Sequence, residues 1–179
     1  IYVGNVTQGT GADANKRKAA YSSDGSSFTE VFTEATVDIL DFEYDGAYTY
    51  GCHSSGISRG ALGTATAWTA AWSSQAAIKL CFHNNNLYGI TANQLWLIAA
   101  AAGSTKKWPS DASTNYTLTD IDAGSSGSIF FCGYSGERGL GWEYDGTNAT
   151  VFATLPKNFI PTSLEIYLGV TYVGGYYTE

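Results

Sequence analysis

The sequence predicts an all-β fold, and three observations support that prediction. The 179 residues include 21 Gly, 13 Tyr, 8 Phe and 5 Trp but only 3 Pro. Aromatic side chains pack well on pleated sheets, and glycine serves tight turns. Hydrophobic residues make up 44% of the chain and charged residues 14%, which excludes a disordered chain. The third observation is a pair of strands that recurs along the sequence.

The repeated unit is an apolar strand, a tight turn and an aromatic strand that contains glycine. Its copies are ILDFEYDGAYTYGCH at 39–53, IKLCFHNNNLYGIT at 78–91, LTDIDAGSSGSIFFCGY at 118–134 and LEIYLGVTYVGGYY at 164–177. Alignment on Tyr48, Tyr88, Phe130 and Tyr172 gives steps of 40, 42 and 42 residues. The turns contain Asp-Gly, Asn-Asn-Asn or Ser-Gly, residues that tolerate the positive φ of tight hairpins.

A second hairpin lies between these copies, best seen at 18–32 and 140–152, and it also turns at Asp-Gly. Each period therefore holds four antiparallel strands, which is the composition of a β-propeller blade. We expect one repeat domain over 1–179 with about four visible blades in an incomplete ring. The predicted repeats are 1–35 (partial), 36–75, 76–115, 116–162 and 163–179 (partial).

Residues 91–103, TANQLWLIAAAAG, fit two structures. The polar start, the good helix formers and the final glycine are compatible with a short helix. We favour a strand over Gln94–Ile98 because this stretch occupies the third-strand position of its repeat, with the alanines in the following loop.

Two short motifs resemble known propeller families. Residues 22–28, SSDGSSF, resemble the Asp-box hairpin of sialidase-like propellers, and Asp145-Gly146 sits at the equivalent turn. IYVGN at 1–5 and TYVGGYYT at 171–178 resemble a strand of kelch-like propellers. The resemblance implies an extracellular or virion-surface protein. Within an Asp-box the acid caps its own turn, so we interpret this motif as a folding element.

The second strand of the repeat occurs at both ends of the sequence, so one copy is surplus to a closed ring. Either the chain is a segment of a longer propeller, or blades are completed between chains. The absence of Met and the start at Ile1 fit a removed leader or a piece of something longer. We expect residues 1–7 or 171–179 to add to a sheet of another copy. The expected partners are therefore other protein chains or copies of this chain, with glycans as a further option.

Composition argues against two classes of partner. The formal net charge is −7, from 9 Lys and Arg against 16 Asp and Glu, which disfavours nucleic-acid binding. The longest apolar run, Leu95 to Ala102, is far shorter than the roughly 20 residues of a membrane span.

The three cysteines, Cys52, Cys81 and Cys132, lack the spacing of a metal site. Since they lie in apolar strand-like surroundings, we expect buried free thiols, with a single disulfide as the alternative.

Three arginines are the candidate ligand-binding residues. Arg17, Arg59 and Arg138 each follow a glycine of a second strand and precede a third strand. We expect them in equivalent loops on one face, where guanidinium groups could bind an anion or an acidic sugar. We favour solvated loop arginines over such a binding site. Separately, Asn5, Asn115 and Asn148 begin N-glycosylation acceptor patterns.

No catalytic residue, metal ligand or cofactor is predicted. Sialidases also use three arginines, but a nucleophile pair of the kind found in that family cannot be singled out here. His53 and His83 are the only histidines and lack the spacing of a metal site or catalytic triad.

Two acid pairs, Asp41/Glu43 and Asp120/Asp122, each share a strand face. They fit glycosidase or calcium chemistry, but we favour solvated or central-channel carboxylates. The tryptophans are expected to pack between blades. The sequence thus predicts a non-catalytic extracellular or virion structural or binding module that assembles with other chains. The alternative is a carbohydrate-binding lectin or a sialidase-like glycosidase fragment.

Overall fold

A computed structural model describes residues 2–3, 17–27, 29–34, 39–61, 68–110, 115–124 and 127–179. Within these ranges every regular element is a β-strand, which confirms the predicted all-β class. None of the described segments forms a helix long and apolar enough to cross a membrane.

Three sheets have four antiparallel strands each, in sequential order. The first contains β4 (Ile39–Tyr44), β5 (Tyr48–His53), β6 (Gly56–Ala61) and β7 (Thr69–Ser73). The second contains β8 (Lys79–His83), β9 (Asn86–Ile90), β10 (Leu95–Ile98) and β11 (Thr105–Trp108). The third contains β12 (Thr117–Ala123), β13 (Ile129–Ser135), β14 (Arg138–Tyr144) and β15 (Ala149–Lys157).

Two smaller sheets precede and follow these blades in the chain. The described strands β1 (Tyr2–Val3), β2 (Arg17–Tyr21) and β3 (Thr29–Glu34) form a three-stranded sheet. The last sheet is a hairpin of β16 (Phe159–Tyr167) and β17 (Val170–Tyr177). This hairpin begins at Phe159 rather than at the predicted 163, because Phe159 already pairs with Tyr177.

The predicted Asp-Gly turns are confirmed. Gly25, Gly46 and Gly146 all have positive φ, at 78°, 99° and 97°. The preceding aspartates cap these turns: Asp45 Oδ1 accepts the N–H groups of Ala47 and Tyr48 at 2.8 and 2.7 Å. Asp24 and Asp145 accept equivalent bonds from the residues two and three positions on. These bonds lower the pKa of Asp24 and Asp145 below the usual range of a carboxyl.

The segment that fitted both a helix and a strand is a strand. Leu95–Ile98 pairs with β9 and β11, and Ala101 lies in the connection, with a positive φ of 54°. Strand pairing on both sides therefore determines the structure here, although the alanine run favours a helix locally.

The chain divides into two compact units: Ile1–Ile78 with Ala100–Gly103, and Lys79–Ala99 with Ser104–Glu179. In the first unit the core includes Ile39, Cys52 and Ile57, each no more than 2% exposed. Gly60 is required beside Trp68, since a Cβ at this position would lie 2.3 Å from the indole nitrogen.

In the second unit an aromatic cluster fills the space between two blades. Trp108 of β11 lies 5.3 Å from Phe131 and 5.1 Å from Trp142, measured between ring centroids. Phe131 and Trp142 stack at an interplanar angle of 12°. Trp108 and Trp142 therefore pack between blades, as predicted, whereas Trp68 and Trp72 pack on rings of their own sheet.

All three cysteines are buried free thiols, and the alternative of a disulfide is excluded. Burial raises the pKa of the Cys132 thiol to about 11. This thiol is therefore protonated near neutral pH and is a poor nucleophile.

Candidate functional site

Arg59 lies at the centre of a mixed aromatic and charged cluster in the first unit. Its guanidinium carbon is 4.2 Å from the centroid of the Tyr48 ring and 5.1 Å from that of Trp72. Both distances are within the range of a cation–π interaction. The two rings therefore hold a half-buried cation at one end of the blade.

Asp45 completes this cluster. Its Oδ2 accepts a hydrogen bond from the Tyr50 hydroxyl at 2.6 Å. Burial alone would raise the pKa of Asp45, but this hydrogen bond, the two backbone N–H groups of the turn and the charge of Arg59 together lower it. Burial and the bond to Asp45 raise the pKa of Tyr50 to about 12. Asp45 therefore stays ionised and balances part of the charge of Arg59.

Two rings close to these charged groups are partly accessible. Tyr48 is 38% exposed and Tyr44, on the other side of Asp45, is 44% exposed. Accessible ring surface next to a carboxylate and a guanidinium is a combination that can contact the apolar and polar sides of a sugar.

Arg138 lies in a different setting in the second unit. It is exposed and lines an open cleft of about 430 Å³ with Glu137, Thr154, Leu155 and Lys157. Lys157 Nζ is 3.2 Å from Glu137 Oε2, and both side chains are at least 70% exposed. Such a surface pair contributes little to stability, so Arg138 and Lys157 form a solvated basic edge.

The expectation of equivalent arginine loops is wrong for Arg59. The turn between β5 and β6 is so short that β6 begins at Gly56, and Arg59 therefore lies within the strand, opposite Tyr50. This places Arg59 at the end of its sheet that carries the Asp45 turn. Arg138 instead begins β14, next to the β13–β14 turn. Arg17 begins β2, and its side chain lies outside the described part of the chain.

Two of the three candidate glycosylation sites lie in the described residues. Asn115, just before β12, is exposed, and so is Asn148 in the β14–β15 turn. Asn5 lies outside the described residues. Among those residues no group of three or more His, Cys, Asp or Glu side chains is placed to hold a metal ion.

The acid pair Asp120/Asp122 has a role that the sequence did not reveal. Asp120 Oδ2 accepts the backbone N–H of Leu164, and Asp122 Oδ2 accepts that of Ile166, both at 2.7 Å. Lys79 Nζ lies 3.8 Å from Asp120 Oδ1. Two carboxylates on β12 therefore satisfy backbone donors along one edge of β16, which is the first strand of the next sheet.

The pairing register identifies the positions on β4 and β16 that correspond to this acid pair. A bulge precedes Asp120, which pairs with Cys132, and the same irregularity precedes Asp41, which pairs with Cys52. In the last hairpin the bulge precedes Ser163, so Glu165 occupies the position of Asp122. The two acids spaced two apart are visible in the sequence, but the bulge and the backbone donors of β16 are not.

The last hairpin also carries more than half of the exposed large hydrophobic side chains among the described residues. Of the eleven large hydrophobic side chains that are exposed among the described residues, six belong to it. They are Tyr167, Leu168, Val170, Tyr172, Tyr176 and Tyr177, at 52–85% exposure. Concentrated exposure of this kind is unusual for a surface that faces only water.

The sheets just described are blades of a β-propeller, and comparison with solved structures supports that class. The chain superposes on a propeller of the nidogen/laminin complex with a TM-score of 0.63 and 12% identity, covering 84% of this chain and 62% of that one. It superposes on BamB from Moraxella catarrhalis with a TM-score of 0.63 and 14% identity, covering 97% of this chain and 51% of the BamB chain. It superposes on a catalytically inactive virginiamycin B lyase from Staphylococcus aureus, crystallised with quinupristin, with a TM-score of 0.62 and 14% identity. That match covers 84% of this chain and 53% of the lyase chain.

These likenesses define the fold as a β-propeller of four-stranded antiparallel blades. The chain spans between about half and three fifths of the length of these three solved chains. No protein-family model and no curated protein sequence matches it.

Proposed function

We propose that this chain is a non-catalytic structural or binding module, working outside the cytoplasm or on a virion surface, that assembles with other chains or with copies of itself through its last hairpin. One observation supports this proposal above the others: the concentration of exposed apolar side chains on β16 and β17. Burying such surface against a partner would contribute about 25 cal/mol for each Å² removed from water.

The fold by itself does not select between binding and catalysis. The similar structures include a protein complex and a lyase. The Asp24 turn has the capped geometry expected of an Asp-box, since Gly25 N–H also donates to Ser22 Oγ at 2.8 Å. This geometry supports the resemblance to sialidase-like propellers of the extracellular or viral kind, which remains part of the proposal.

Sedimentation velocity over a range of protein concentrations tests the assembly. We expect association that grows with concentration and is weakened by Tyr172→Lys, because this exposed ring would be replaced by a solvated charge. Val151→Lys is the matched control, since Val151 is 53% exposed on β15, outside the hairpin. A monomer at every concentration would contradict the proposed assembly.

A second candidate function, glycan binding, is favoured by the Arg59 cluster. The accessible Tyr48 ring lies over the Arg59 guanidinium, and the charge of the Asp45 carboxylate is felt at the same cluster. Titration with sialic acid and with neutral oligosaccharides, by calorimetry, tests this site. We expect Arg59→Gln to abolish binding of the acidic sugar, with Arg138→Gln as the control that separates this cluster from the cleft at Arg138. Equal affinity in the wild type and Arg59→Gln would dismiss the Arg59 site.

A further inference from the structure

The backbone groups of the last hairpin can be assigned to its two edges. In an antiparallel pair, successive residues point their N–H and C=O groups alternately toward the partner strand and away from it. Leu164 and Ile166 of β16 donate away from β17, to Asp120 and Asp122. Ser163, Glu165 and Tyr167 therefore face β17.

The same alternation applies along β17. Glu165 pairs with Tyr172 and Tyr167 with Val170, so the even-numbered residues of β17 face β16. The Thr178 N–H, which donates to the Asn158 carbonyl at 2.9 Å, continues this pattern. The outward residues of β17 are therefore Thr171, Val173, Gly175 and Tyr177.

The two edges of the hairpin differ in how they are protected. The edge of β16 is covered by the acid pair Asp120/Asp122, whereas the edge of β17 pairs with no strand among the described residues. Exposed edge strands are normally protected by charged side chains or proline. Val170–Tyr177, VTYVGGYY, contains neither.

We propose that a second copy of this chain adds to this edge, with the two β17 strands pairing antiparallel across a twofold axis. This inference rests on the proposed function and specifies its partner and geometry. The combined sheet would have the order β16–β17–β17–β16. The combined sheet would thus contain four strands, as each complete blade does.

One register satisfies all four outward residues at once. With Gly174 opposite Gly174 of the other copy, Thr171 pairs with Tyr177 and Val173 pairs with Gly175. A shift by two residues in one direction leaves Tyr177 opposite the Gly169 turn, and a shift in the other direction leaves Thr171 opposite Glu179, beyond the end of β17. In the chosen register Tyr172 lies opposite Tyr176 of the other copy, so that the exposed rings form cross-strand pairs.

A second copy is favoured over an unrelated partner because the outward residues of β17 pair with one another in this register. The chain carries a formal charge of −7, which opposes close approach of two copies. However, β17 itself is uncharged, and Glu165 is the only charged residue of β16. An uncharged strand is therefore the part of this acidic chain at which two copies can meet with little repulsion.

Paired cysteines test the register. In the double variant Tyr172→Cys/Tyr176→Cys, each new thiol would lie opposite one from the other copy, in a non-hydrogen-bonded pair with Cα atoms about 4.5 Å apart. Within one chain the two positions are about 13 Å apart, too far for a disulfide. We expect a disulfide-linked dimer after mild oxidation. Each single variant is the control and should stay uncrosslinked, because positions 172 and 172 are not opposite in this register.

Val173→Pro tests the edge independently. The N–H that it removes points away from β16, so the hairpin keeps its own hydrogen bonds while the interface loses a donor. We expect dimerisation to weaken at least about tenfold, with Val173→Ala much closer to the wild type. Thermal melting of both variants checks that the fold is retained.

The outcomes separate this inference from the proposed function. Crosslinking of the double variant, together with the loss of dimer in Val173→Pro, supports the twofold pairing. If the chain associates without crosslinking and Val173→Pro does not weaken the association, the twofold geometry is wrong. Assembly through another surface would then remain supported. A wild-type monomer at every concentration overturns both.

Discussion

The β12–β15 sheet and the β16–β17 hairpin belong to the same compact unit and begin with similar first strands. Each has a bulge near its start, followed by an acid at the Asp122 or Glu165 position. The sheet buries Phe131 and Trp142 to 2% exposure or less, whereas the hairpin leaves Tyr172 and Tyr177 at 55% and 65%. The comparison teaches that the apolar residues of a blade are buried only when further strands and a following blade cover them.

The edges show the same contrast. Strands β13 and β14 are each paired on both sides, whereas β17 has β16 as its one partner among the strands that the structure describes. The acid pair Asp120/Asp122 extends the protection of the complete sheet to the near edge of β16. The outward backbone groups of β17 have no such protection among the described residues. Because the sheet is covered and the edge of β17 is not, substitutions in the two regions should change stability by different amounts.

The largest effect is expected where the sheet is covered. Trp142→Ala removes a side chain that packs on Phe131, Trp108 and Tyr116, and should lower the free energy of unfolding by about 3–5 kcal/mol. Tyr172→Ala in the hairpin, where the side chain is 55% exposed, should change it by less than about 0.5 kcal/mol at concentrations where the chain is monomeric. Urea denaturation measures both, and equal losses would remove the contrast.

The acid pair should have an intermediate effect. Asp120→Ala/Asp122→Ala leaves the N–H groups of Leu164 and Ile166 without acceptors, at a combined cost of about 1–3 kcal/mol because both bonds are only partly buried. Hydrogen exchange of these two amides should become much faster. The matched variant Asp120→Asn/Asp122→Asn keeps an acceptor oxygen at both positions and should lose less. Unchanged exchange in the alanine variant would show that β16 is held by its apolar face alone.

A smaller effect is expected at the Asp45 turn. Because the folded-state pKa of Asp45 is lowered, its carboxylate stabilises the fold above the unfolded pKa of about 3.9. That contribution is lost as pH falls through the lowered folded pKa. Asp45→Asn should therefore cost about 1 kcal/mol at neutral pH, since solvent screens this turn. The difference from the wild type should shrink in acid, and a difference independent of pH would contradict a role for the charge.

The smallest effect is expected at the turn of the last hairpin, which lacks a capping acid. Leu168 has a positive φ of 51° and is 85% exposed, a conformation that asparagine tolerates better than leucine. Leu168→Asn should raise the free energy of unfolding by about 0.5–1 kcal/mol without changing association. Thermal melting and sedimentation measure the two properties separately, and a lower melting temperature would contradict the assignment of strain.

The sequence predicted the features that depend on local backbone conformation. Asp45-Gly46 and Asp145-Gly146 were found because tight hairpins need residues with positive φ. The start of β16 was not predicted, since Pro161 is normally a strand breaker and here lies next to a bulge within the strand. The position of Arg59 depends on the length of one turn, which the repeat alignment did not resolve.

Apolar packing between blades was predicted for the tryptophans, but polar contacts between blades were beyond sequence reasoning. Asp120 and Asp122 were recognised as a pair on one strand face, but their hydrogen-bond donors are backbone groups 44 residues further on. A backbone N–H has no signature in the sequence, so the acids were interpreted as solvated. The partners of Arg59 were hidden in the same way, because Trp72 reaches it from a neighbouring strand.

Hydrogen exchange along β17, followed as a function of protein concentration, tests the central claim most directly. In dilute solution the account predicts an alternating pattern, in which Val170, Tyr172, Gly174 and Tyr176 are protected while Thr171, Val173, Gly175 and Tyr177 exchange rapidly. At high concentration the second set should become protected as the two β17 strands pair. Protection of both sets at every dilution, or rapid exchange of the second set at every concentration, would contradict a free edge that is closed by another copy.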